Sequence, residues 1–252
     1  MEKQKPYGTV LIKAAAILDM IAEHPDSSLQ EIAQATNMTN STTLKILDTL
    51  NMIGYTQKRK NKTYSLGSKL IRYANKNIEQ IDLIELTLPY LERLQQAVDE
   101  TIHLGILSND EIYYINKLEP KNQSIRMSSK IGIARPLYSS AMGKAVLAEY
   151  SEEAYQDYLA THELIPYTEN TITNSIKLAK EIEKIKQTKI AYDNEEMEVD
   201  IFCIGTAIVI DDQIVGTLSV SLPKYRVTKE LEDNVIQQVL DTKKQIEANL
   251  KK

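Results

Sequence analysis

Residues 27–66, SSLQEIAQATNMTNSTTLKILDTLNMIGYTQKRKNKTYSL, constrain the fold more than any other stretch. Ser27 or Ser28 stands before a short apolar set, Leu29, Ile32 and Ala33, and Glu31 follows Ser28 by three, which is the capping-box spacing of a helix start. Asn37-Met38 then marks a tight turn. Thr39 or Asn40 caps a further helix that puts Ile46, Leu47, Leu50 and Ile53 on one face and ends near Gly54. After it, Tyr55–Lys58 and Thr63–Leu66 flank Arg59-Lys60-Asn61-Lys62, a hairpin pattern with a basic tip. Upstream, Val10, Ala14, Ile17, Leu18 and Ile21 recur with helical spacing, and His24-Pro25-Asp26 breaks the run. Three helices, the last two joined by a tight turn, followed by a hairpin predict a winged helix-turn-helix over residues 1–66.

Charge supports the reading. The chain carries -5 overall, yet residues 1–80 hold 11 Lys and Arg against 7 Asp and Glu, so the remainder carries -9. A basic N-terminal third on an acidic body indicates two modules with different partners. One cysteine excludes an internal disulfide framework and fits a reducing compartment. The first residues, MEKQKPYGTV, lack the apolar run of a signal peptide, and no window has the length of a membrane span. The expectation is a soluble cytoplasmic protein.

The second helix of the turn motif is nearly neutral. Its outward face carries Ser41, Leu44, Lys45 and Asp48, with Asn40 at its start. An outward leucine is an ordinary surface residue in most proteins. Here it also suits contact with thymine methyl groups in a major groove. Asn40, Ser41, Thr42 and Thr43 offer polar groups for phosphates or base edges at a helix start, with Ser28 at the start of the preceding helix. The cations sit next door, at Lys58, Arg59, Lys60 and Lys62 on the wing. Phosphate contacts position a protein and base contacts specify, so a near-neutral reading helix beside a basic wing is coherent. The expected partner is a double-stranded, palindromic, AT-rich DNA site read by a dimer.

Residues 67–82 read as a linker helix, and residues 83–252 as an α+β domain. Leu83–Val98 is helical, with Pro89 inside it. Thr101–Leu107 and Glu111–Leu118 form a hairpin about Ser108-Asn109-Asp110. Ser140–Glu149 and Ser175–Gln187 are helices. Phe202–Ile210 and Ile214–Leu222 form a second hairpin, and Thr228–Leu250 closes the chain as a helix. Strand pairs mixed with helices suggest an antiparallel sheet with helices on its faces. In the last strand Leu218, Val220 and Leu222 share one face, and Thr217, Ser219 and Ser221 share the other, which faces either water or a pocket.

Catalytic and metal signatures are absent from the sequence pattern. His24, His103 and His162 are far apart and lack metal spacing. No G-x-S-x-G elbow occurs. A P-loop is excluded around Lys144, because its first glycine would fall on Tyr138 and Ala145 follows the lysine. The acidic run DNEEMEVD lacks the spacing of a calcium loop, and no cofactor is expected.

Four blocks in order, AAAILDMIAEHPDSSLQEIAQATNMTNSTTLKILDTLNMIGY, YSLGSKL, IGIARPLYSSAMGKAVLA and IAYDNEEMEVDIFCIGTAIVIDDQIVGTLSVSLPKYRVT, resemble the IclR family of bacterial transcription regulators along nearly the whole chain. The chain departs from the family pattern at Asn40, often a lysine, and at Leu44, often a histidine or similar polar residue, which leaves the operator sequence open. The resemblance implies a GAF-like effector-binding domain and a homodimer or a dimer of dimers. It implies an effector site at Ala141 and Met142 on a helix start, at Asp193, Cys203, Ser219 and Ser221, and at apolar walls near Ile125 and Met127. It also implies control by a small organic acid, a keto or sugar acid such as ketodeoxygluconate, with repression the commoner mode. A ligand-responsive protein-interaction module and a small-molecule enzyme on the C-terminal fold are the alternatives.

Overall fold

The computed structural model describes residues 8–79 and 83–251. The chain divides into two compact units, residues 1–81 and 82–252.

The first unit opens with α1 (Thr9–Glu23), then β1 (Ser27–Ser28), α2 (Leu29–Ala35), α3 (Asn40–Met52), β2 (Thr56–Lys58), β3 (Thr63–Leu66) and α4 (Ser68–Glu79). Each short helix is started by a side chain. Ser28 and Glu31 form a complete capping box on α2. Thr39 caps α3 by accepting from the Thr42 N–H. Asn37 takes a left-handed conformation, φ 53°, in the turn between them. The end of α3 is a Schellman motif. Tyr55 N–H bonds the Leu50 carbonyl at 2.8 Å and Gly54 N–H bonds that of Asn51 at 3.1 Å, with Gly54 at φ 84°. Ile17, Ile21, Ile32, Ile46, Leu47, Leu50 and Tyr64 form the core.

Two expected core residues lie outside it. Val10 is exposed along with Leu11 and Ile12, so packing of α1 begins only at Ala14. Ile53 is 37% exposed, because α3 stops at Met52 and the chain turns away at Gly54. The hairpin gains a third strand, in the order β1-β3-β2, with Ser27 opposite Tyr64. Of the linker helix expected over 67–82, α4 covers Ser68–Glu79, and residues 80–82 lie outside the described residues.

The second unit is α+β. Its elements are α5 (Leu83–Val98), β4 (Thr101–Ser108), β5 (Glu111–Leu118), β6 (Ala134–Pro136), α6 (Ala141–Leu147), α7 (Glu152–Thr161), α8 (Ser175–Thr188), β7 (Ala191–Asn194), β8 (Ile201–Ile210), β9 (Gln213–Pro223), a 3₁₀ turn at Lys224–Arg226 and α9 (Lys229–Leu250). The six strands form one antiparallel sheet in the order β6-β5-β4-β9-β8-β7. Both hairpin turns hold two successive residues at positive φ, Asn109-Asp110 and Asp211-Asp212, as tight two-residue turns require. Pro89 sits inside α5 without ending it.

The register sorts the two faces. Directly opposite residues share a face. Ile102 pairs with Val220 and Val220 with Ile204, all three fully buried, on the side where α5 and α9 pack. The alternate rows are polar. Asp193 pairs with Cys203, Cys203 with Ser221, Gly205 with Ser219, and Ser219 with His103. The start of α6 lies against this polar face at Gly205, where a Cβ would come within 3.1 Å of Ala141 and Met142. A side chain there would push the helix off the sheet by a few tenths of an ångström, so glycine suits this close approach.

Candidate functional site

Each unit builds one candidate site. On α3, Asn40, Ser41 and Lys45 are exposed, while Thr42 and Leu44 are half-buried. Thr43, expected to face DNA, is instead fully buried, and its hydroxyl donates to the Thr39 carbonyl at 3.0 Å. Its position three residues before Ile46 and four before Leu47 places it on the core stripe, where its methyl group packs. Ser28 Oγ is occupied as an acceptor in the capping box, leaving its own proton to donate.

The wing turns at Lys62, φ 65°, and Asn61 Oδ1 accepts from both the N–H and the hydroxyl of Thr63. Its four cations differ. Arg59 pairs with Asp26 at 2.5 Å, which ties the wing to the turn after α1. Lys58 lies over the Tyr64 ring, 5.5 Å from its centroid. Among the described residues Lys60 and Lys62 have no ion-pair partner. Those two are therefore free to meet phosphates without first giving up an ion pair.

The second site is a cavity on the polar face of the sheet beneath α6. It brings together Met127, Ala141, Met142, Asp193, Cys203, Ser219 and Ser221, all named from sequence. Ser219 and Ser221 are buried, which settles the polar face of β9 as inward. Ile125 is not in the lining and is 48% exposed. It stands in an irregular segment two residues from Met127, and the chain turns it out to solvent.

Asp193 is buried rather than solvated. Its Oδ1 accepts from the Glu196 N–H at 2.7 Å and the Met197 N–H at 3.3 Å, closing the turn after β7. Burial raises its pKa to about 7, the nearby Glu196 charge adds to the rise, and the two N–H groups and Lys144 oppose it. Cys203 Sγ lies 3.1 Å from Ser221 Oγ, and burial pushes the thiol well above its usual range, which favours the protonated form. Ser140 caps α6 by accepting from the Gly143 N–H. Helix α6 has seven residues.

Several lining residues escaped the sequence reading. His103 stands on β4 opposite Ser219, with Nε2 2.7 Å from Ser129 Oγ and Nδ1 3.4 Å from Ser221 Oγ. Its ring lies 4.5 Å from that of Tyr114. Burial, with the charges of Lys117 and Arg135, lowers its pKa to about 3, so it is neutral at physiological pH. Arg135 on β6 and Glu198, Met197 and Ile201 after β7 complete the wall. Beneath it, Lys144 and Glu196 form a buried ion pair. The signal for His103 was present, because alternation along β4 puts it on the same face as the serines once β4 is paired with β9. Arg135 lies on a three-residue strand that no periodicity announces.

Among the described residues no group of three His, Cys, Asp or Glu is placed to hold a metal, and no helix is long and apolar enough to cross a membrane.

The chain matches two family models, the IclR helix-turn-helix domain over residues 10–60 and the bacterial transcriptional regulator IclR C-terminal domain over residues 75–248. It is 32% identical over 234 residues to the HTH-type transcriptional regulator KdgR of Escherichia coli, covering 91% of this chain and 88% of that protein. Among solved structures it superposes on the Thermotoga maritima IclR with a TM-score of 0.74 at 34% identity, covering 98% of this chain and all of that one. An IclR homologue of Microbacterium hydrocarbonoxydans, complexed with 4-hydroxybenzoate, matches with a TM-score of 0.79 over 96% of this chain and 98% of that chain; at 18% identity it bears on the fold alone. The matched families and relatives are transcriptional regulators, not enzymes.

Proposed function

The chain belongs to the IclR family of bacterial transcriptional regulators, and from that premise we propose that it is a repressor whose hold on a palindromic, AT-rich operator is controlled by a small organic acid. The observation that carries this reading is the cavity itself. It joins hydroxyls, the carboxyls of Asp193 and Glu198 and the guanidinium of Arg135 on a face that an isolated sheet would give to solvent. A keto or sugar acid, ketodeoxygluconate among them, fits that chemistry. Its hydroxyl or keto groups meet Ser219, Ser221 and Asp193, and its carboxylate meets the N–H groups at Ala141 and Met142 or the charge of Arg135. The tyrosine and histidine in the wall also accept a small aromatic acid, the class that the Microbacterium hydrocarbonoxydans homologue holds. Repression follows the commoner mode of the family.

In this reading Asn40, Ser41, Thr42, Leu44 and Lys45 meet base edges and phosphates, and Lys58, Arg59, Lys60 and Lys62 supply phosphate affinity. The chain acts as a homodimer or a dimer of dimers, because one recognition helix reads too few bases for specificity. A thermal-shift screen of keto, hydroxy and aromatic acids tests the effector class, since a bound acid raises the melting temperature by mass action. A hit must also change operator affinity in a binding titration. A screen in which neutral sugars and amines stabilise the protein and no acid does would overturn the effector class.

A further inference from the structure

Arg135 stands on β6 opposite Ile112 of β5, and it is the one cation among the described residues lining the cavity, His103 being neutral there. Its side chain is 18% exposed. Its Nη2 donates to Glu198 Oε1 at 2.7 Å, and the Ser128 hydroxyl reaches Glu198 Oε2 at 3.4 Å. So the charge most suited to an incoming acid already holds a carboxylate from the chain.

The two partners are not held equally. Glu198 is 42% exposed. The turn that carries it is pinned without it. Asp193 accepts two of its N–H groups, the Thr168 and Thr171 hydroxyls donate to the carbonyls of Glu195 and Glu196, and Glu196 is paired with Lys144. Glu198 can therefore leave Arg135 and regain water while the backbone stays in place. Among the described residues no other Lys or Arg lines the cavity, since Lys117 behind the wall is held by the Met127 and Ser129 carbonyls and Lys144 by Glu196. The start of α6 is a weaker lure, because that helix has only seven residues and its first turn is pressed against Gly205.

We propose that Arg135 is the residue that selects a carboxylate in this cavity, and that Glu198 is an internal competitor which the effector's carboxylate displaces. This deepens the organic-acid reading and rests on it. Glu198 sets the threshold. The acid must outcompete a tethered carboxylate, and a neutral ligand of the same shape gains nothing by displacing it.

Calorimetric titration of the full chain with ketodeoxygluconate, pyruvate and 4-hydroxybenzoate, and with the primary amides of those that bind, tests the proposal in the parent protein, Arg135→Gln and Glu198→Gln. Arg135→Gln is expected to weaken the acid about tenfold or more and leave the amide unchanged. Glu198→Gln is expected to tighten the acid severalfold and leave the amide unchanged. Glu198 is half-exposed, so its variant keeps the fold and stands as a separate test if Arg135→Gln does not fold. An acid that binds the parent and both variants alike overturns the role of Arg135 and Glu198 but leaves the organic-acid reading in place. If none of the three acids binds the parent or Glu198→Gln, the organic-acid reading fails and the proposal fails with it.

Discussion

Thr43 shows how far a single residue can be read from a helical wheel. Its neighbours Ser41 and Lys45 face out, but its own hydroxyl is turned back to the Thr39 carbonyl and the residue is fully buried. Thr43→Val should leave operator affinity unchanged and shift stability by about 1 kcal/mol, the net worth of one hydrogen bond. Ser41→Ala should weaken operator binding without changing the melting temperature. Fluorescence anisotropy on the operator and thermal unfolding of both variants check the pair. Asp193 offers a test in pH. Its folded pKa is about 7, above its ordinary value near 4, so between those limits the folded chain binds more protons than the unfolded one. Stability contributed by this group is present at the acid end and is lost as pH rises from about 4 to about 7. Urea midpoints measured at pH 5 and pH 7.5 should fall less steeply in Asp193→Asn than in the parent. By sequence alone the DNEEMEVD run reads as a solvated loop, because nothing local reveals that β7 is an edge strand whose aspartate lies opposite Cys203.

Elements with strong local signals were legible and weak ones were not. The capping box of α2, the cap of α3 and the paired Asn-Asp and Asp-Asp turns fix helices and hairpins through side chains that sequence displays. Strands β6 and β7 carry no such signal, whereas α7 does carry one that the sequence reading passed over: Ser151 caps it by accepting from the Ala154 N–H, with Glu152 and Glu153 in its first turn. β6 has three residues and β7 four, too short for alternation to declare itself, and they exist because the growing sheet offers them an edge. For the same reason Arg135 was missed, while the serines of the eleven-residue β9 were found. Helix α6 hides another feature of this kind. Lys144 sits inside a buried stretch and is answered by Glu196 from the turn after β7. The second carboxylate oxygen of Glu196 has no hydrogen-bond partner among the described residues. An ion pair so incompletely satisfied stabilises little, but half of it is worse than none. Lys144→Ala should cost about 3–5 kcal/mol by leaving Glu196 buried and uncompensated. The double change Lys144→Met with Glu196→Leu should recover most of that loss. Chemical unfolding of the three proteins decides it, and a double variant no better than the single one would contradict the account.

For the whole molecule, charge divides as function requires. The basic first unit suits a polyanion, and the second unit is acidic, so an organic-acid effector of the kind proposed would have to be held by groups inside the cavity rather than attracted across the surface. Changing Lys58, Arg59, Lys60 and Lys62 to Ala should lower operator affinity and flatten its salt dependence, by about 0.9 in the logarithmic slope for each phosphate left without its cation. Because Arg59 is engaged by Asp26 and Lys58 by Tyr64, Lys60→Ala with Lys62→Ala should account for most of that change. The four-block pattern along the chain was enough to expect both modules and their order. It gave neither the operator nor the effector, since those depend on groove contacts and a cavity shape assembled from distant strands. The most direct test of the central claim is binding of the full chain, at physiological salt, to a palindromic duplex selected by the chain from a random pool and to a scrambled duplex of the same composition. A ligand-controlled regulator should prefer the selected duplex by about a thousandfold or more and should change that preference when an acid found by thermal shift is added. Equal affinity for both duplexes, or a preference that no stabilising acid alters, would contradict it.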